Sequence, residues 1–377
     1  MSRRGNGEGS IYKDGDRWVA AIVTDVGGKK VRRKFTGTTR RTVAARLVAA
    51  QRAVAQGLPI APERLNLSDY LVRWLDESAR PGLRPRVFES YEMIVRRHLI
   101  PALGSLRLVQ LSPRDVQGFL ATKQKAGLSA RTIQYQHAVL RRALRDAERL
   151  GLVQRNVARL VSPPRVETKE VVPPTAAEVR TFFIAIAGHR DEALFILAVA
   201  TGLRQSELLG LTWADIDFDG HKVTVRRTLQ RYERAYHLDE PKTQRSRRTL
   251  HVPPPVETAL LGHRVRQMEE QLRLGSTWAN SWDLVFTDSF GSPRSGIQLT
   301  RSYQALLEAA RLPRQRFHDL RHAAATFMLT EGVSLRTAME VLGHSQIHVT
   351  ANTYSHVMPE LKEDAAKRVS ALLFDKA

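Results

Sequence analysis

Not one of the 377 residues is cysteine, which excludes a disulfide scaffold, a thiolate zinc site and a cysteine nucleophile together. Acidic side chains are scarce beside basic ones. Asp and Glu number 38 against 59 Lys and Arg, so the chain carries a formal charge of +21 and an isoelectric point near 10.8. A balance of that kind makes a polyanion the default partner. Long apolar runs are also missing. The longest uninterrupted one is Ala193 to Ala200, far below the roughly 20 residues of a membrane span. The first ten residues are basic and glycine-rich, with no apolar core that could serve as a secretory signal. A cytoplasmic protein with no membrane partner is expected. At 42% hydrophobic residues the chain can build real cores and is no disordered tail, and its length suggests two or three domains.

Charge is unevenly spread. Residues 1–60 hold 13 Lys and Arg against 4 Asp and Glu, which marks a separate nucleic-acid-facing module. Within it Ser10–Lys13, Arg17–Thr24 and Lys30–Phe35 are β-branched or aromatic runs. Asp14-Gly15-Asp16 and Gly27-Gly28 separate them as hairpin signals, so three antiparallel strands are expected. Val43, Leu47, Ala50 and Val54 then recur at helical spacing, giving a helix that covers the small sheet. Trp18 and Phe35 read as its core. Arg17, Lys29, Lys30, Arg32 and Arg33 are candidates for DNA contact, because strands can lie in the major groove.

Gly57-Leu-Pro-Ile-Ala-Pro62 breaks the pattern as a first linker. From Leu67 to about Leu160 every periodic segment is helical. Ser112-Pro113-Arg114-Asp115 carries an N-cap, a proline at the first helical position and an early carboxylate. A longer helix spans about 130–150, with Ile133, His137, Leu140, Leu144 and Ala147 on one face and Arg131, Arg142, Arg145 and Arg149 on the other. Such a stripe suits a phosphate backbone or is a solvated helix face. A second linker, from Ser162 to Pro174, leads to the capping box Thr175-Ala-Ala-Glu178. Beyond it helices are expected near 176–187 and 191–200, a strand at Lys222–Arg226, and helical periodicity from there to the C-terminus. The expected fold is therefore a multidomain α+β chain. Residues 1–60 form a three-stranded sheet plus helix, 61–165 an all-α bundle, and 170–377 a mostly α catalytic domain with a small antiparallel sheet.

Common catalytic templates fail. There is no phosphate-binding P-loop and no His-Glu-x-x-His zinc motif. Asp215-Ile-Asp217-Phe-Asp219-Gly220 opens like a calcium loop, but its twelfth position is Arg226 where a bidentate Glu is needed. That stretch reads as a turn into a strand, so no metal and no cofactor are expected. What remains is an excess of Arg, Lys and His toward the C-terminus, the groups that metal-free phosphoryl chemistry requires.

Four segments fall into one pattern: Thr201-Gly-Leu-Arg204-Gln-Ser-Glu207, Pro241-Lys242-Thr-Gln-Arg-Ser-Arg-Arg248, His318-Asp-Leu-Arg321-His322, and Leu342-Gly-His344 with Thr353-Tyr354-Ser-His356. In order and spacing they resemble the tyrosine recombinases, the site-specific recombinases of the phage integrase type, over residues 175–365. The helical middle resembles the family's core-site-binding domain, and the N-terminal sheet looks like the arm-site-binding domain of lambda-type integrases. Those two matches rest on layout and charge.

The chemistry of the residues runs alongside that resemblance. A phosphodiester transition state gathers negative charge on its non-bridging oxygens, and planar guanidinium groups match it bidentately. Arg204 and Arg321 are the two expected there. His318 lies three residues before Arg321 and shares its helical face. The resemblance implies that it assists proton transfer, with His322 as packing. Tyr354, ten residues after His344, is the implied nucleophile, giving a phosphotyrosyl link to the 3′ side and a free 5′-hydroxyl. A phenol near pKa 10 needs cations and a base to attack. Lys242 matches the general acid for the leaving oxygen, or contacts backbone phosphates within its basic run. His344 matches a phosphate hydrogen-bond donor or is a turn histidine. Glu207 orients Arg204 or caps local structure.

By the same resemblance, the partner is double-stranded DNA at core and arm sites, and four protomers act on synapsed DNA. Accessory DNA-bending proteins join them, and the partly apolar tail in 355–377 docks on a neighbouring protomer. The implied outcome is integration or excision of a mobile element. Two rivals share these features. One is a type IB topoisomerase-like relaxing enzyme. The other is a catalytically silent DNA-binding regulator, whose signature would be a missing catalytic position.

Overall fold

The computed structural model describes residues 9–26, 29–55, 64–167, 172–241, 246–343, 370 and 373. Contacts divide the chain into two units, Met1–Thr168 and Lys169–Ala377. Among the described residues no helix is long and apolar enough to cross a membrane.

The first unit opens with an antiparallel sheet of β1 (Ser10–Asp14), β2 (Arg17–Val26) and β3 (Lys29–Gly37), in that order. Register follows from the hairpin residues: Ser10 pairs with Ala21, and Trp18 with Gly37. Helix α1 (Arg40–Ala55) packs on β2 and β3. Ala20, Ile22, Phe35, Val43, Leu47 and Ala50 form the core, with Ile11 and Trp18 partly buried against it. Val54, expected on the same stripe, is 39% exposed because the helix runs on past the sheet's apolar cluster.

The rest of this unit is helical. The helix α2 (Leu67–Trp74) passes into a π turn at Leu75–Ala79 before Pro81. Likewise α3 (Pro85–Ile94) passes into a π turn at Val95–Leu99 before Pro101. In each the amide two residues after the turn's fourth position reaches back five residues, Arg80 N–H to Leu75 and Ile100 N–H to Val95. A proline has no N–H and its ring strikes the carbonyl four residues back, so the widened turn accommodates it without breaking the helix. Helix α4 (Pro113–Lys125) starts at the Ser112/Asp115 capping box, and α5 (Ala130–Arg149) at the Ser129 cap. Ile133, His137, Leu140, Leu144 and Ala147 are all buried, as their spacing predicts. Tyr70 and Trp74 tie α2 to α5: the phenol donates to the Ala143 carbonyl at 2.6 Å and the indole to Asp146 at 2.9 Å. His137 sits 2.8 Å from the Ala158 carbonyl, and burial keeps its imidazole neutral by lowering its pKa. It is a core histidine.

The second unit begins with α6 (Ala176–Ala185), capped by Thr175 and Glu178. Helix α7 (Glu192–Thr201) is buried nearly all round and contacts both α9 (Pro254–Leu274) and α11 (Asp319–Thr330). Phe182, Phe195, Tyr303 and Phe317 form an aromatic cluster against it, Tyr303 coming from α10 (Gly296–Ala309). The short α8 (Gln205–Leu209) follows α7, then the strands β4 (Ile216–Asp217), β5 (Lys222–Val225), β6 (Thr228–Tyr232), β7 (Ala235–Asp239) and β8 (Arg248–His251). They make an antiparallel sheet β4-β5-β8 and a separate hairpin β6-β7. Helical periodicity was expected straight after Arg226, but it resumes only at Pro254. The hairpin turns at Glu233 and Arg234, both at positive φ. Neither is Gly or Asn, so the usual turn signal is absent. Helix α12 (Leu335–Leu342) is followed by Gly343, the last residue of the continuous described stretch 246–343.

Candidate active site

The segment Thr201–Glu207 turns sharply between α7 and α8. Gly202 caps α7 at φ +63°, and a Cβ there would stand 2.5 Å from Leu342 Cδ2 and 3.2 Å from Ala324 Cβ. Only glycine permits both the left-handed conformation and that approach. Two residues on, Arg204 is the N-cap of α8. The Glu207 carboxylate accepts the Arg204 backbone N–H at 2.9 Å and its Nη1 at 2.7 Å. The two roles expected of Glu207, orienting the arginine and capping the helix, are thus one arrangement. Glu207 is 1% exposed. Burial would raise its pKa, but Arg248 and then Arg204 outweigh that and hold it below the usual carboxylate range.

Arg321 projects from α11 and is 2% exposed. Its Nη1 donates to the Gly202 carbonyl and its Nη2 to the Leu342 carbonyl, both at 2.6 Å. Arg204 Nη2 donates to the next carbonyl, Gly343, at 3.1 Å, and Arg248 Nε to the preceding one, Val341, at 2.6 Å. Three arginines from three elements therefore satisfy three successive carbonyls at the end of α12. A helix C-terminus leaves these carbonyls without intrahelical partners and carries the negative end of the dipole, so cations are favoured there.

His318 is the N-cap of α11, an exposed residue whose ring lies 5.0 Å from that of His322 and nearly perpendicular to it. Desolvation, then the His322, Arg321 and Arg204 neighbours, push its pKa down to about 4. The result is a neutral imidazole at neutral pH, able to accept a proton.

Arg248 is not among the expected site residues; the sequence places it at the end of the basic run from Lys242. Its side chain is only 7% exposed and bridges both Glu207 oxygens, Nη2 to Oε2 at 3.0 Å and Nη1 to Oε1 at 3.3 Å. A signal existed. Residues 248, 250 and 252 share one face of a strand, and Leu250 and Val252 are core residues. An arginine in phase with them points inward and needs a buried carboxylate.

Of the other expected residues, Lys242, His344 and Tyr354 lie outside the described residues, as does the tail over 355–377 apart from 370 and 373. Next to the arginine cluster, a groove of about 700 Å³ is lined by Arg226, Arg227, Arg247 and Arg248 with Thr224, Thr249 and Glu240. Arg226, the twelfth position of the calcium-like stretch, stands 3.6 Å from Asp215, its first.

The expected DNA-facing arginines divide. On α5, Arg131, Arg145 and Arg149 are exposed, while Arg142 is half-buried with its guanidinium 5.5 Å from the Tyr91 ring centre. Arg145 also pairs with Asp146 at 3.3 Å. In the N-terminal sheet Arg17, Lys30 and Arg32 are exposed and Arg33 is half-buried, paired in register with Ile22 on the core face. Lys29 opens β3. Lys34, exposed and in phase with Lys30 and Arg32, belongs with them by alternation and was missed.

Comparison with known proteins gives a consistent answer. Residues 175–360 match the Phage integrase family, and residues 66–123 match its N-terminal SAM-like domain. A tyrosine recombinase XerC-like protein of Caldanaerobacter subterraneus is 32% identical over 96% of this chain and 98% of its own length. An integrase of Streptomyces ambofaciens is 30% identical over 93% of each. In fold the chain is similar to the Tn1549 transposon integrase in complex with a circular intermediate DNA, with a TM-score of 0.69, 22% identity, and 81% of this chain and 99% of that one covered. It is also similar to a lambda integrase dimer bound to a core site, at 0.59 and 17%, covering 94% and 96%. The order and spacing of the arginine, histidine and tyrosine segments, the helical and sheet layout, and full-length likeness to these recombinases converge: the chain belongs to the tyrosine recombinase family of phage integrases, site-specific recombinases that cleave and rejoin DNA.

Proposed function

We propose that strand cleavage runs through Tyr354, with Arg204, Arg321, His318, Lys242 and His344 around one scissile phosphate. The observation that carries this reading is the convergence of Arg204, Arg321 and Arg248 on the end of α12, one residue before His344 in the sequence. In the reaction the Tyr354 oxygen attacks phosphorus and the bond to the 5′-oxygen breaks. Neutral His318 accepts the phenolic proton, and Lys242 protonates the departing 5′-oxygen. Arg204 and Arg321 hold the non-bridging oxygens, where charge builds in the transition state. His344 donates a further hydrogen bond to them. The phosphotyrosyl bond conserves the energy of the diester, so rejoining needs neither ATP nor a metal ion.

Exchange between two duplexes requires four cleavages. The proposed assembly is therefore a homotetramer on synapsed DNA, in the cytoplasm and aided by DNA-bending proteins, which integrates or excises a mobile element. The N-terminal sheet reads arm sites through Arg17, Lys29, Lys30, Arg32 and Arg33, and the α5 arginines hold core-site phosphates. The three blocks 1–60, 61–165 and 170–377 act as arm-binding, core-binding and catalytic domains.

The test incubates wild type and Tyr354→Phe with a nicked suicide duplex carrying the site, in EDTA. Wild type is expected to form a denaturation-resistant protein–DNA adduct and the variant none. An adduct that persists in the variant places the chemistry on another tyrosine. No adduct from either, on DNA shown to be bound, favours the silent regulator.

A further inference from the structure

Arg248 is not one of the groups assigned above to the phosphate, yet it is the most completely enclosed cation of the cluster apart from Arg321. Its guanidinium makes four hydrogen bonds: two to Glu207, one to the Val341 carbonyl at 2.6 Å and one to the Ser246 carbonyl at 3.1 Å. Each contact leads to something else. Glu207 is the carboxylate that holds both the backbone and the side chain of Arg204. Val341 lies in the last turn of α12, from which the chain proceeds through Gly343 to His344. At Gly343, φ is +66° and a Cβ would stand 3.0 Å from Arg248 Nη1, so the guanidinium packs directly on the helix end.

Left alone between Arg204 and the core, Glu207 would be a buried carboxylate with one partner, and a lone partner leaves it free to pull Arg204 inward. With Arg248 on its inner side, each Glu207 oxygen receives one hydrogen bond from each arginine. The inner arginine balances the carboxylate, and the outer one keeps its remaining edge for an anion.

We infer that Arg248 is a positioning residue for DNA cleavage, fixing Arg204 through Glu207 and fixing the end of α12 through Val341, so that the two sides of the phosphate site are set by one guanidinium. The inference rests on the reading of Arg204 as a phosphate ligand. Lysine keeps the charge but concentrates its donors at one point, so it cannot span two carboxylate oxygens and a carbonyl.

The experiment measures single-turnover adduct formation by the full chain on the nicked duplex for wild type, R248K, R204K and the R204K/R248K double variant, with DNA affinity and melting temperature alongside. R248K is expected to cleave on the order of 100-fold more slowly, the scale of a misplaced catalytic group, while its DNA affinity stays within about threefold. In the R204K background the same substitution should add less than about threefold, because residues acting through one another are non-additive. Equal fold losses in both backgrounds would show independent structural damage and overturn the inference. So would R248K cleaving at the wild-type rate. Should R248K fail to fold, E207Q/R248Q buries a neutral amide pair instead, and wild-type cleavage by that variant overturns the inference equally. An R204K chain that cleaves like wild type would remove the reading of Arg204 itself.

Discussion

The arginines of the second unit and those on α5 are the same side chain put to opposite uses. Arg321 and Arg248 are almost wholly enclosed, and their guanidinium groups donate to backbone carbonyls and, for Arg248, to Glu207. Arg131 and Arg149 stand in water, and the only ion pair described for Arg149 is a 3.9 Å approach to Asp146. An enclosed guanidinium is costly to desolvate and justified only where its geometry is fixed by several acceptors. An exposed one costs little and acts as a charge that displaces counterions from DNA. The first kind fits a reaction centre and the second a binding surface. Substitutions should therefore separate the two regions by what they damage.

Glu207→Ala should do the most harm to the fold, because it strips a buried Arg248 of its carboxylate; a loss of about 3–5 kcal/mol is expected by chemical denaturation. A loss below about 1 kcal/mol would mean the carbonyls alone satisfy Arg248. Next, Arg321→Lys should slow adduct formation roughly 100- to 1,000-fold, the effect of removing one fixed donor from a charge-stabilising site. Its affinity for DNA at low salt should be nearly unchanged, which a filter-binding titration would check.

Acid should weaken the fold through its histidines. His318 is pushed down to about 4, and His137 and His263 are lowered by burial, with their Nε2 atoms against the Ala158 and Val285 carbonyls. The unfolded chain takes up protons at these groups below about pH 6.5 while the folded one resists. Their contribution is thus whole above that pH and is lost as pH falls toward 4. Melting temperature followed from pH 7 to 4 should decline over that window, and less steeply in His263→Gln. Smallest is the effect of Arg131→Ala or Arg149→Ala. Stability should move by less than about 0.5 kcal/mol, while the slope of log affinity against log salt drops by about 1 if the side chain meets a phosphate. An unchanged slope would make the stripe a solvated helix face.

Legibility in the sequence tracked how local the cause was. The α5 face, the capping boxes at Ser112 and Thr175, and the N-terminal hairpins depend on residues a few positions apart, and all can be read from spacing. The hairpin β6-β7 was invisible because Glu233 and Arg234 occupy a turn that glycine or asparagine normally announces. Glu207 could be placed beside Arg204 from its three-residue separation. Its second partner, 41 residues away on β8, is brought to it only by tertiary packing. The carbonyl ladder at the end of α12 involves backbone acceptors, which every residue carries, so no residue type could signal it.

One feature of the helical region bears on chain length. Leu67, Leu71, Leu75 and Ala79 are each no more than 1% exposed, although they recur every four residues. In an unbroken α-helix such a row advances about 40° per step and by the third step has swung about 120° away from the core. The π turn at Leu75–Ala79 absorbs that drift by spending one extra residue in the turn. Val95, Leu99 and Leu103 repeat the arrangement around the second π turn, each at 4% exposure or less. The two turns therefore behave as built-in single-residue insertions. Deleting one residue inside either would return the segment to ordinary pitch with the downstream row still facing the core, whereas the same deletion in a helix without a widened turn would rotate everything downstream by about 100°.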